Sequence, residues 1–94
     1  MTITVKFIGA FRHFSGANEL ELGFKDLKSI SDLIAMLIRE MPEIESSLID
    51  QHIERLNPNT LILVNDKEIG VLDGVESKLN DGDEVVFVPV VHGG

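Results

Sequence analysis

Gly93 and Gly94, at the end of the chain, are the residues whose type and place best suit covalent chemistry. Two residues without Cβ make a thin, pliable ribbon that can enter a narrow cleft and leave a terminal carboxylate sterically open to attack. Small residues also collect at ordinary frayed termini. Here, though, the glycines follow a stiff apolar run, Val85 to Val88, after only a few residues, so the carboxylate is expected to project a short distance from a rigid body. A carboxylate is a poor acyl donor because its oxygens are bad leaving groups, and it must be activated. The chain has no nucleophile, base and oxyanion donors arranged as a site of their own, so a partner must supply the activating chemistry.

The run that carries this tail begins at a turn. In Asp81-Gly82-Asp83 the glycine reaches positive φ without a Cβ clash, and aspartate can hydrogen-bond its own following backbone. Val85 to Val88 is β-branched and aromatic without interruption, which predicts a central strand covered on both faces and parallel to a neighbour. Pro89 lacks an N–H and holds Val88 extended, so ladder pairing should weaken there while the chain stays straight.

Composition bounds the rest. Ninety-four residues make one domain, long enough to bury roughly 60 to 65% of its unfolded surface. Apolar residues form 44% of the chain, yet Trp and Tyr are absent and only five Phe occur, so the core is aliphatic and base-stacking platforms are scarce. Sixteen acidic residues against eight Lys and Arg give a net charge of −8, which repels nucleic acid and anionic membranes and suits a basic protein partner, or solubility alone. The absence of cysteine excludes disulfides and thiolate metal sites. No leader pattern and no run of 18 apolar residues is present, so the expectation is a soluble cytoplasmic protein.

In chain order, Thr2 to Ile8 alternates with Ile3, Val5 and Phe7 on one face, predicting a half-buried strand. A loop over 9–18 is pinned by Phe11 and Phe14, with Arg12 as a structural ion-pair partner or, less favoured, part of a docking surface, and His13 as exposed. Glu19 to Phe24 alternates again and completes a hairpin. Ser29-Ile30-Ser31-Asp32 resembles a capping box, with Asp a short substitute for Glu. Ile30, Leu33, Ile34, Leu37, Ile38 and Met41 then recur at helical spacing as one apolar stripe that must lie on a sheet, and Pro42 closes the helix.

From Glu43 to Leu56 the apolar residues thin out among acids, predicting a short, poorly anchored helix or an ordered loop. His52 within it has no second ligand at metal spacing, so no metal site is expected. Asn57-Pro58-Asn59 breaks the chain, Leu61 to Val64 is a strand, and Asn65-Asp66 turns it toward a short edge strand within Lys67 to Val71. Gly74 to Lys78 is a tight helical turn. The element order predicts an α+β domain in which a mixed sheet packs on one main helix. The alternation of the first and last strands shows two faces, and Phe7 and Phe87 either enter the core or form a docking patch.

The spacing Leu79-x-Asp81-Gly82-Asp83-Glu84-Val85-x-Phe87-x-Pro89-x-Val91-x-Gly93-Gly94 resembles the ubiquitin-like sulfur carrier family that holds the small subunit of molybdopterin synthase and the thiamine sulfur carrier. Val5 to Gly16 resembles the molybdopterin subunits as well, and the two ends together span nearly the whole chain. The resemblance implies a β-grasp fold over 1–94, with a projecting tail from about residue 89. It also implies that an E1-like enzyme uses ATP to adenylate Gly94, after which a sulfur donor protein displaces AMP and leaves a thiocarboxylate. The chain itself would bind no cofactor. Without cysteine it cannot hold sulfur as a persulfide, which leaves the C-terminal carboxyl. The receiving partner would be the large subunit of molybdopterin synthase, with Gly93, His92, Val91, Pro89, Phe87 and Phe7 as tail and partner-binding residues. His92 departs from that pattern, and a His-Gly-Gly ending is similar to the eukaryotic ubiquitin-related modifier, a carrier for tRNA thiolation and lysine conjugation.

Overall fold

The structure, a computed structural model, describes residues 2–11, 19–23, 27–50, 55–56 and 60–89. Outside the described residues lie Arg12, His13 and Phe14, Phe24, His52, the Asn57-Pro58-Asn59 breaker and the tail from Val90 to Gly94.

Strand β1 (Thr2–Phe7) pairs antiparallel with β2 (Glu19–Gly23), setting Ile3 opposite Leu22 and Val5 opposite Leu20. The main helix α1 (Ile30–Glu40) follows, then a 3-10 turn (Pro42–Ile44) and a single helical turn α2 (Glu45–Leu48). Two-residue strands β3 (Ile49–Asp50) and β4 (Arg55–Leu56) pair with each other. Strand β5 (Thr60–Val64), the short β6 (Lys67–Glu68) and the last strand β7 (Glu84–Pro89) complete the main sheet. Among the described residues its order is β2-β1-β7-β5-β6, with β7 parallel to β1 and antiparallel to β5. A mixed sheet with first and last strands side by side, packed on one helix, is the β-grasp arrangement expected.

Local signals explain the element ends. The Ser29 hydroxyl accepts from Asp32 N–H at 3.3 Å, capping α1. Aspartate is too short to reach the cap's own N–H as glutamate would, and Asp32 instead accepts from Lys28 N–H at 2.9 Å, one residue earlier. At the other end Met41 sits at φ −135°, ψ 75°, outside the helical region as a residue before proline should be. Asn65 and Asp66 both take positive φ, the two-residue turn whose twist matches a hairpin. The predicted edge strand stops early, because the Glu68 carboxylate accepts from Gly70 N–H at 2.6 Å and bends Ile69–Val71 into a 3-10 turn.

Ile3, Val5 and Phe7 of β1, Ile62 and Val64 of β5, and Val85 and Phe87 of β7 form one core with Ile30, Leu33, Ile34 and Leu37 of α1. Ile38 and Met41, at the edges of the apolar stripe, are only partly buried. The segment after Pro42 is firmly held, contrary to expectation, since Ile44 and Leu48 are fully buried in the same core. Ile44 and Leu48 both enter the core, and spacing alone cannot show that. No helix among the described residues is long and apolar enough to cross a membrane.

Leu37→Ala should cost about 2 to 5 kcal/mol through the cavity it leaves, and Ile44→Ala should fall in the same range despite its place in a single turn. Urea denaturation of both variants checks this. An Ile44→Ala cost within about 0.5 kcal/mol of zero, as for a surface position, would restore the poorly anchored reading.

Candidate functional site

The site is built outward from the strand that launches the tail. β7 is paired along both edges: Val85 with Val5 and Val64, Phe87 with Phe7 and Ile62, and Pro89 with Thr60. Its start is stitched to the beginning of the chain. Thr2 N–H donates to an Asp81 carboxylate oxygen at 2.7 Å, Gly82 N–H to the Thr2 carbonyl at 2.8 Å, and Thr4 N–H to the Asp83 carbonyl at 3.0 Å. Asn65 joins from the β5–β6 turn: its side-chain amide donates to Asp83 at 2.8 Å and accepts from Glu84 N–H at 2.9 Å. Three separate parts of the chain, the start of β1, the Asp81–Asp83 turn and the Asn65 turn, thus hold the foot of β7.

Phe7 and Phe87 correct the expectation that they bind the tail or a partner. Their rings stack at 5.6 Å with 20° between planes, Phe11 meets Phe87 edge-on at 6.3 Å, and Phe7 and Phe87 are 1% and 0% exposed. They lie beneath the sheet against the helix, so they support the tail's root and touch no partner. The same alternation turns Val86 and Val88 to the opposite face, where Leu63 and Leu61 stand across from them on β5. Ile8, one residue past β1, is 43% exposed. Val88, Leu61 and Leu63 are half-buried, and Val86 is screened by its neighbours without joining the core. No helix of the described residues packs on this face. β7 is therefore apolar on both sides for two reasons: one face fills the core, and the other forms an outward apolar strip that runs to the end of the strand.

Lys6 and Glu84 meet on the outward face at 3.0 Å with about two-fifths of each side chain exposed. Such a pair contributes little to stability, but it gives one margin of the strip a fixed charge pattern. Among the described residues no group of three or more His, Asp or Glu could hold a metal ion. Pro89 stands at the end of β7, half-buried, where the chain passes from sheet to tail. Gly94, Gly93, His92 and Val91 lie outside the described residues.

The family model described as the ThiS family matches residues 5–94, from the first strand through both terminal glycines. The chain belongs to the ThiS family. This ThiS-family chain is 34% identical over 73 residues to ubiquitin-related modifier 1 of Schizosaccharomyces pombe, covering 78% of this chain and 72% of that one. It is 29% identical over all 94 residues to small archaeal modifier protein 3 of Haloferax volcanii, the whole of both chains. Its structure resembles that of small archaeal modifier protein 1 from Methanosarcina acetivorans at a TM-score of 0.84 and 28% identity, covering 99% of this chain and 96% of that one. It is a ubiquitin-like protein of the sulfur carrier and modifier kind.

If the outward strip is surface, Val88→Thr should change stability by less than about 1 kcal/mol, whereas Val85→Thr buries a hydroxyl in the core and should cost about 1 to 3 kcal/mol. Denaturation midpoints of the two near-isosteric variants decide it, and equal losses would mean that both faces are core.

Proposed function

We propose that this chain is a carrier whose Gly94 carboxylate is adenylated by an E1-like enzyme and then converted to a thiocarboxylate by a sulfur donor. The observation that supports it best is the anchored root: β7 is paired on both edges up to Phe87 and along β5 as far as Pro89, five residues before Gly94. The core sets where the tail starts, and Gly93 and Gly94 add no side chain to obstruct a cleft. The family match, which runs through Gly94, agrees with this.

Each part of the chemistry then has an owner. The partner supplies ATP and the charge stabilisation that makes AMP a leaving group. The chain supplies the acyl carbon, a reach set by residue count, and a docking face. That face is the outward strip of Ile8, Leu61, Leu63, Val86 and Val88, which lies beside the tail's root and surrounds an apolar contact with an acidic body. An apolar centre with a charged rim is how protein interfaces divide affinity from encounter rate.

For the sulfur's destination we favour tRNA thiolation and lysine conjugation, the activity of a ubiquitin-related modifier. The His92-Gly93-Gly94 ending and the likeness to modifiers at 34% and 29% identity support this. The second reading, the small subunit of molybdopterin synthase donating to its large subunit, is favoured by the spacing from Leu79 to Gly94. Both use the same first step.

Two outcomes test the carrier reading. With an E1-like partner, ATP and a sulfur donor, the parent chain should gain the mass difference between sulfur and oxygen. One residue added after Gly94 shifts the reactive carbon by up to about 3.3 to 3.6 Å. That should abolish transfer, because about 1 Å of misplacement can already cost a hundredfold. Gly94→Val, with a branched Cβ beside the acyl carbon, should fail too while the body stays folded. Transfer at the parental rate by either variant would sink the reading.

The complex should also weaken as ionic strength rises, since the −8 charge steers a basic partner and salt screens it. RNA should not compete. Tight RNA binding by the isolated chain at physiological salt would argue instead for direct recognition.

A further inference from the structure

Three glycines of the described residues take positive φ, and one of them differs from the others. At Gly74 (φ +59°) and Gly82 (φ +86°) an added Cβ would meet nothing within 4 Å, so backbone conformation alone accounts for them. Gly9, at φ +63°, faces the ring of Pro89: a Cβ there would lie 2.9 Å from Cγ and 3.4 Å from Cδ. The turn that carries it is anchored to the body of β7. Ile8 N–H donates to the Phe87 carbonyl at 3.0 Å, and the buried Phe11 ring lies edge-on to Phe87.

Pro89 cannot donate a ladder hydrogen bond, so packing rather than hydrogen bonding must locate its end of the strand. On the β5 side it stands opposite Thr60, and on the β1 side it rests on Gly9. We propose that Gly9 is a positioning residue: its side-chain-free backbone seats Pro89 and thereby sets the direction in which the tail leaves the body. The consequence for catalysis rests on the reading of Gly94 as the carrier. Five residues beyond Pro89 reach at most about 16 to 18 Å, so a tilt of roughly 10° at the root moves the far end by about 3 Å. A tail already aimed at the cleft loses less conformational freedom on entering it. Disturbing the seat therefore raises KM in adenylation and leaves kcat, which is set once the tail is threaded.

The direct test measures tail direction without any partner. The chain has no cysteine, so His92→Cys and Lys67→Cys provide two unique spin-label sites, one on the tail and one on an exposed position of β6. Gly9→Asn adds a Cβ against Pro89 while asparagine tolerates the left-handed φ. It should shift or broaden the distance distribution between the labels, and a cooperative thermal transition reports that the body is folded. Pro89→Ala, which removes Cγ and Cδ, should change the distribution too, and adding Gly9→Asn to Pro89→Ala should change it no further. A parental distribution in either single variant, or additive effects in the pair, overturns the proposal. Should Gly9→Asn fail to fold, a parental distribution in Pro89→Ala still overturns the proposal.

With unlabelled chains, an E1-like partner and ATP, Gly9→Asn should raise KM about tenfold at constant kcat. A parental KM overturns the catalytic consequence. Failure of the parent chain to be adenylated removes the carrier reading, while the label distances still decide whether Gly9 directs the tail.

Discussion

The parallel pairing of the first strand with the last, at the centre of the sheet, is the constraint on which the rest depends. Val5 lies beside Val85 and Phe7 beside Phe87, so residues some 80 positions apart must meet in register. A parallel pair cannot be closed by a tight turn, and everything between, hairpin, helix and β5, serves as the crossover. Closing so long a loop costs entropy before any contact repays it. The structure offsets that cost with a dense set of contacts at the seam: the stacked Phe7 and Phe87 rings on the helix side, and the hydrogen bonds from Thr2 and Thr4 into the Asp81–Asp83 turn at its foot. The helix side of this sheet is anchored elsewhere too. Ile30 N–H donates to the Ser77 carbonyl and Leu79 N–H to the Lys28 carbonyl, which ties the start of α1 to the segment leading into β7.

That constraint explains why the last strand serves as a platform. A tail on an edge strand would inherit the fraying of that edge. A tail on the central strand is held from two sides, and its root moves only if the sheet opens. The sheet also has two unequal faces, because one helix covers only one of them. The apolar residues left on the other face run to the end of β7, so on the proposed reading a partner that grips the strip of Leu61, Leu63, Val86 and Val88 would meet the chain where the tail begins.

Much of the local architecture was legible in the sequence because its causes are local. Ser29 and Pro42 delimit α1 through capping and the geometry before proline, and Asn65-Asp66 turns a hairpin because both residues tolerate positive φ. What escaped was long-range. Alternation in β1 and β7 shows two faces and is symmetric between them, so Phe7 and Phe87 could be assigned to docking when they belong to the core. Ile44 and Leu48 look sparse in one dimension, and only the packed structure shows both under the same helix and sheet. Asp81 and Asp83 read as turn formers, while their bonds to Thr2 and Asn65 depend on a crossover that no local pattern encodes. Of the candidate site, the proposal of Gly94 was legible because it rests on residue type and position alone, and Gly94 itself lies outside the described residues. The seat of Pro89 on Gly9 was not, because a glycine in a loop looks the same whether it faces solvent or a ring.

On the proposed reading, a carrier that leaves activation to its partner separates chemistry from destination. Once the acyl carbon is activated, a sulfur donor or a lysine amine can attack the same centre, and the product depends on which nucleophile is presented. The fold and the glycines serve both outcomes equally, so neither discriminates between them. On that reading, discrimination would fall on residues that a receiving protein touches while leaving activation intact, and the proposed ones are the outward strip from Ile8 to Val88, its Lys6–Glu84 margin, and His92 next to the glycines. Carriers of this fold that differ in destination are therefore expected to share the helix-side core and the Pro89 seat, and to diverge on the open face of the sheet.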